Sequence, residues 1–124
     1  MNVVAGKARP WPTEVRLSSD KTTLTVVYDS GARFALAAEY LRVESPSAEV
    51  QGHAADQKQI VPGKRGVTIV GLEEVGNYAV RILFDDGHDT GLYSWDYLHE
   101  LGREHTIKWA AYTRALRAKK LERD

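Results

Sequence analysis

Asp86-Gly87-His88-Asp89-Thr90-Gly91-Leu92-Tyr93-Ser94-Trp95 compresses a hairpin turn, a histidine at its edge, a short aromatic strand and a helix start into ten residues. Asp and Gly are turn formers, because a short carboxylate can bond the backbone ahead of it and Gly accepts positive φ. Ser94 stands where a helix N-cap belongs, which predicts a helix over Trp95–Leu101 with Gly102 suited to the position after it. Upstream, Tyr78–Phe84 places Val80, Ile82 and Phe84 on one face, the period of a strand. Gly76-Asn77 is a two-residue hairpin signal, and Val67–Val75 reads as the strand before it.

The first half of the chain has the same order. Thr13–Ser18 and Thr22–Tyr28 read as strands around Ser18-Ser19-Asp20-Lys21, with Leu24, Val26 and Tyr28 alternating against Thr23, Thr25 and Val27. Asp29-Ser30-Gly31 is the next turn, Arg33–Leu36 returns, and Ala37–Arg42 reads as a helical turn or short helix. At an offset of 56 the halves align as Leu24/Val80, Val26/Ile82, Tyr28/Phe84, Asp29/Asp85, Gly31/Gly87 and Leu36/Leu92. One inserted residue later, Tyr40/Tyr97 and Leu41/Leu98 align too, which points to an internal repeat. The expected fold is therefore α+β: a small single domain of antiparallel β meanders, two pseudo-repeated units, with short helices and a C-terminal helix. Its expected core is Val15, Leu17, Leu24, Val26, Tyr28, Leu36, Leu41, Ile69, Val80, Ile82, Phe84, Leu92, Trp95 and Leu98.

Residues 1–10 read as a flexible leader, 11–102 as the domain and 103–124 as a basic C-terminal helix or tail. Trp109, Tyr112 and Leu116 share one face of that helix, which can pack on the domain or serve a partner. Between the units, Ser45 as N-cap with Pro46 at the first helical position predicts one short helix closed by Gly52. The remainder, through Pro62-Gly63-Lys64-Arg65-Gly66, has little periodicity, and such long connections are often functional.

Composition narrows the chemistry. With 124 residues and 43% hydrophobic composition a single core is feasible. No apolar run reaches membrane-spanning length and the N-terminus has no signal-peptide core, so a cytoplasmic protein without membrane association is expected. Cysteine is absent, which removes disulfides, thiolate metal sites and cysteine nucleophiles together. Net charge is zero, yet residues 103–124 carry seven Lys/Arg against three Asp/Glu while residues 1–102 carry ten against fourteen. Such a tail can be a solvated helix face, or can reach phosphates or its own body.

No complete catalytic constellation is legible. There is no His-x-Asp/Glu pair and no HExxH; His99-Glu100 is followed by Arg103 where the second histidine would stand. His88, His53 and Asp86 are the candidates for a metal, in an acidic turn that can equally be a solvated hairpin tip. Glu73 and Glu74 are adjacent on a strand and point to opposite faces. Pro62–Gly66 lacks the phosphate-loop frame and its following helix. The cations Lys108, Arg114, Arg117, Lys119, Lys120 and Arg123 are expected to share a helix with Trp109 and Tyr112, but the acidic body and zero net charge argue against nucleic acid.

The run Asp86-Gly87-His88-x-x-Gly91-x-Tyr93-x-Trp95, with Tyr40-Leu41-Arg42 upstream, resembles the gamma-butyrobetaine hydroxylase-like N-terminal domain family, DUF971, from about Pro12 to Leu101. In that family the domain precedes the catalytic domain of carnitine-biosynthesis dioxygenases. It is also fused to P-loop iron–sulfur carrier ATPases and occurs as free-standing bacterial proteins, which this chain resembles. In the hydroxylases the domain carries a structural zinc held by three cysteines and by the histidine of the DGH turn. The resemblance implies that His88 is that histidine and that the cysteine positions fall at Ser45, Ser47 and about Val50. None of the three supplies a thiolate, so no metal and no cofactor is expected, and residues 1–124 leave no room for a dioxygenase domain. Instead His88 is expected to bond a carbonyl or hydroxyl of the Ser45–His53 loop.

The functional expectation is a non-catalytic accessory or protein-interaction domain, with a protein partner or self-association, linked to iron–sulfur assembly or oxygenase metabolism by the resemblance alone. Its interaction surface is expected at Ser45, Ser47, His53, Lys64, Arg65, Trp109 and Tyr112. The alternatives are a metal-binding protein using His88, or an enzyme acting through the Ser45–His53 loop and His88.

Overall fold

The computed structural model describes residues 9–52 and 57–124; the leader through Ala8 and His53 lie outside them. The element order is β1 (Pro12–Leu17), β2 (Thr23–Tyr28), β3 (Arg33–Ala37), α1 (Ala38–Val43), α2 (Ala48–Gln51), β4 (Ile69–Val75), β5 (Ala79–Phe84), β6 (Leu92–Ser94), α3 (Trp95–Arg103) and α4 (His105–Ala118). Strands β1-β2-β3 and β4-β5-β6 make two antiparallel three-stranded sheets, so the chain is a small α+β domain with a C-terminal helix.

The repeat extends to the hydrogen-bond frame. A bulge falls at Thr13 in β1, between Pro12 and Glu14, and its counterpart falls at Val70 in β4, between Ile69 and Gly71. Tyr28 N–H donates to Ala32 O at 2.8 Å, and Phe84 N–H donates to His88 O at 3.0 Å. The turn glycines Gly31 and Gly87 share a left-handed backbone, at φ 94° and 92°. Such a φ is strained for any residue with a Cβ.

Register corrects one alignment. Leu24 pairs with Leu36, but Val80 pairs with Tyr93, so the extra residue enters before β6 rather than after it. Tyr93, not Leu92, is therefore the counterpart of Leu36. Tyr93 is fully buried and Leu92 is 42% exposed, because a one-residue shift moves every side chain to the opposite face.

Three smaller expectations also change. The β4–β5 connection has three residues, Gly76, Asn77 and Tyr78, between the paired Val75 and Ala79. Ser47, not Ser45, occupies the N-cap of α2. Gly102 lies inside α3 rather than beyond it, and a Cβ there would stand 2.3 Å from the Phe34 ring. That glycine is required by close approach, not by helix termination.

The buried faces of β2 and β5 meet α1 and α3 in one core built on Leu24, Val26, Tyr28, Val80, Ile82 and Phe84. Val15 and Leu17 only border it. Tyrosine hydroxyls tie the units reciprocally. Tyr40 Oη donates to Leu101 O at 2.7 Å, and its counterpart Tyr97 donates to Glu44 O at 2.5 Å. Tyr93 Oη donates to Leu41 O at 2.5 Å and Tyr28 Oη to Trp95 O at 2.8 Å. The Leu101, Glu44 and Leu41 carbonyls lie in or just past the last turns of α3 and α1, where intrahelical donors run out, while Trp95 O at the start of α3 takes the Tyr28 hydroxyl as a further donor. Burial pushes the Tyr28, Tyr40, Tyr93 and Tyr97 hydroxyls up, so they stay protonated donors.

Helix α4 closes a second small core, in which Val43, Tyr112 and Leu116 meet Ile60, Val61 and Trp109. The residues after it run beside the basic loop: Gly63 N–H donates to Glu122 O and Arg65 N–H to Arg123 O, both at 3.0 Å. Arg123 forks onto the buried Glu39 carboxylate at 2.7 and 2.8 Å and lies over the Trp109 ring.

Candidate functional site

The Asp86-Gly87-His88 turn is held by its own atoms. His88 N–H donates to Asp86 Oδ1 at 3.0 Å, and Gly87 N–H donates to Phe84 O at 3.1 Å. This geometry turns the His88 ring inward beside Phe84 and leaves its side chain 8% exposed. On the other unit, α1 is capped at Glu44, and Pro46 disfavours helical backbone at Ser45. Ser45 is fully buried and Ser47 nearly so.

The two segments meet through side chains. Ser45 Oγ lies 2.9 Å from His88 Nε2 and Ser47 Oγ lies 3.3 Å from it. Ser45 Oγ also donates to Ser47 Oγ at 3.1 Å and accepts from Ser47 N–H at 3.3 Å. Gln51 Nε2 donates to Ser45 O at 2.8 Å, bracing the loop. Gly91 makes room for this knot, since a Cβ there would stand 2.6 Å from Ser45 Oγ. Ser47 makes no side-chain cap bond to α2 because its hydroxyl is committed to His88.

Charges surround the knot. Asp86 Oδ2 accepts from Arg42 Nε at 2.8 Å and from Lys64 Nζ at 2.6 Å. Burial by itself would raise the Asp86 carboxyl, but Lys64, the His88 backbone N–H and Arg42 outweigh it and hold the group well below the usual carboxylate range. Burial, followed by the neighbouring Arg42 cation, pushes His88 below its ordinary value and keeps the ring neutral. Glu49 stands 3.9 Å from His88 Nδ1, but a neutral ring makes no ion pair with it, and Glu49 instead accepts from Thr90 Oγ1 at 2.5 Å.

This donor set does not suit zinc. Two aliphatic hydroxyls and one imidazole replace the thiolates and imidazoles that hold a structural ion, and Val50, buried beside them, has no donor atom. Arg42 Nη1 is buried without a partner among the described residues, which favours negative charge over a cation. Among the described residues no group of three His, Cys, Asp or Glu side chains gathers to hold a metal. Asp86, a metal candidate in the sequence, is occupied by Arg42 and Lys64. His53 lies outside the described residues. A Ser–His–Glu series has the order of a nucleophile, a base and its orienting group. Here the hydroxyl is sealed, and no reacting carbonyl reaches Ser45 Oγ unless the loop opens.

The other expected contact residues are dispersed. Lys64 and Arg65 are held by Asp86 and Asp124, so the basic loop has no free cation for phosphate. Tyr112 is buried and donates to Val61 O at 2.6 Å, with burial pushing its hydroxyl up to about 12. Trp109 is half-buried beneath Arg123. Ser45, Ser47 and Tyr112 thus belong to the interior rather than to a contact surface. Sequence reasoning missed the Arg42–Asp86–Lys64 and Glu39–Arg123 clusters; residues 84 apart, as Glu39 and Arg123 are, leave no local pattern.

Comparison with known proteins places these features. The family model described as gamma-butyrobetaine hydroxylase-like, N-terminal, matches residues 15–99. One protein with an NMR solution structure is 42% identical, with a TM-score of 0.80 over 94% of this chain and 92% of the other. A second NMR structure is 45% identical, with a TM-score of 0.79 over 92% of this chain and 85% of the other. The crystal structure of a DUF971 protein of unknown function from Acidithiobacillus ferrooxidans is 38% identical, with a TM-score of 0.62 over 73% of this chain and 91% of the other. No curated protein matches the chain.

Proposed function

The chain belongs to the gamma-butyrobetaine hydroxylase-like N-terminal domain family, and from that premise we propose that it is a non-catalytic interaction domain. One observation carries this reading. The Ser–His constellation found among the described residues is consumed inside the fold: Ser45 is fully buried, and both hydroxyls and the imidazole are spent on one another. A catalytic base or nucleophile needs access to a reacting atom, and this one has none in the closed loop. The surface in contrast displays large apolar side chains, Trp11 at 49%, Tyr78 at 54% and Ile107 at 73% exposure. Aromatic residues of this kind are enriched where proteins meet. No described helix is long and apolar enough to cross a membrane.

The test is capture of partners by the tagged full chain from its native cell, paired with sedimentation over a wide concentration range. A reproducible partner or a concentration-dependent oligomer is expected. Neither appearing, or a turnover abolished by Ser45→Ala and by His88→Gln in a substrate screen, overturns the proposal.

A further inference from the structure

Trp11 lines two adjoining depressions: a cleft of about 460 Å³ between β1 and β4, and a second, of about 360 Å³, that also includes Tyr78. Pro12–Val15 form one wall of the larger cleft, Leu72 and Glu74 the other, with the buried Val80 and Trp95 at its base. Both walls are outer strands of their sheets. In an antiparallel ladder, residues turn their backbone groups alternately toward the partner and away from it. Ser18 N–H donates to Thr23 O, so Arg16 and Glu14 face β2 and Val15 faces away from it. The shared bulge puts Leu72 and Glu74 of β4 in the same outward class. Among the described residues, none of the turn, cap or cross-unit backbone bonds uses Val15, Leu72 or Glu74. The edges are tied at one end, where Ile69 N–H donates to Lys21 O at 2.9 Å.

A strand edge with open N–H and C=O groups recruits another strand. The cleft also has a sign. Glu14 and Glu74 line it and, among the described residues, no Lys or Arg does, Glu14 meets only Arg16 and Glu74 has no partner.

We infer that this cleft takes an extended peptide of a partner protein, pairing its backbone with the β1 and β4 edges and setting a basic side chain between Glu14 and Glu74. Apolar side chains on alternate positions cover Val80 and Trp95. A second copy of this chain fits less well, because its own edges bring the same carboxylates. The inference rests on the interaction reading and names its docking edge.

Panning a random heptapeptide phage library on the full chain tests it. Selected peptides should alternate apolar residues around a Lys or Arg. The tightest, synthesised and labelled for fluorescence anisotropy, should bind about tenfold or more weakly to Glu74→Lys and be unchanged by Asp29→Lys, since like charge opposed at an interface costs affinity. N-methylation along one edge of that peptide should abolish binding without touching the protein. Selected peptides indifferent to both changes overturn the cleft assignment. So does an empty selection when partner capture succeeds, and the interaction reading then stands. Self-association abolished by Glu74→Lys would assign the cleft to a second copy and overturn the peptide. Failure of partner capture and of oligomerisation sinks the interaction reading itself.

Discussion

The junction between the two units has two ends built on one backbone plan with opposite chemistry. At one end Phe34 of β3 presses on Gly102 of α3. At the other, the equivalent pair is reversed: Gly91, the counterpart of Phe34, yields room to Ser45, the counterpart of Gly102. The first end is aromatic, with Tyr28 and Phe34 edge-on to His99 at 4.9 and 5.3 Å between ring centroids. The second is polar, with His88 knotted to Ser45 and Ser47. Their turns match as well, since Ser30 Oγ accepts from Ala32 N–H at 3.3 Å and Asp86 Oδ1 accepts from His88 N–H at 3.0 Å. Backbone equivalence therefore constrains where a large and a small residue must face each other, but not which side supplies the bulk or whether the filling is apolar.

The largest effect is expected at the aromatic end. Gly102→Val should destabilise by about 3 kcal/mol, because a branched side chain has no space beneath Phe34 and overpacking forces backbone shifts. Urea denaturation measures it, and Phe34→Ala on the same background should restore part of the loss. No rescue would mean that the two residues do not share one volume.

At the polar end, Ser45→Ala with Ser47→Ala leaves the buried imidazole unpaired, for about 1–3 kcal/mol. The apolar counterpart Phe34→Leu should cost under about 1.5 kcal/mol, so the polar knot is the more sensitive filling. Equal losses would erase the distinction between the ends.

Tyr40→Phe and Tyr97→Phe remove reciprocal bonds and should each cost about 1 kcal/mol. Values differing by more than about twofold would show that the pseudo-repeat does not extend to energetics.

The smallest effect is in pH. Burial and Arg42 hold the folded His88 below its ordinary 6.5. Between those two values the unfolded chain binds more protons than the folded one, so stability rises with pH through that window and levels off above it. Subtracting the profile of His88→Gln from that of the native chain isolates this contribution. A difference that rises toward acid pH would mean that His88 is protonated in the fold.

Much of this architecture was legible. Alternation of Leu24, Val26 and Tyr28, and of Val80, Ile82 and Phe84, located the central strands because a half-buried strand must alternate. Ser94 was readable as a cap, and its Oγ does accept from Tyr97 N–H at 3.0 Å. Meeting of His88 with Ser45 and Ser47 was anticipated through the family resemblance. Leu92 misled because leucine and tyrosine are both acceptable in a core, and only pairing register says which of two neighbours faces it. Gly102 misled because a helix-terminating glycine and a close-packing glycine look the same in sequence.

The chain by itself determined the order of strands and helices, the turns at Gly31 and Gly87, the duplication, and the impossibility of thiolate chemistry. These follow from local periodicity, from φ preferences and from composition, all of which act over a few residues or over none. Tertiary structure alone decided that Tyr93 rather than Leu92 points inward, that Ser45 is sealed rather than offered to a partner, that Arg123 reaches Glu39, and that two sheet edges confront each other across an acidic cleft. Those outcomes depend on which distant atoms come within van der Waals or hydrogen-bonding reach, and no local preference encodes that.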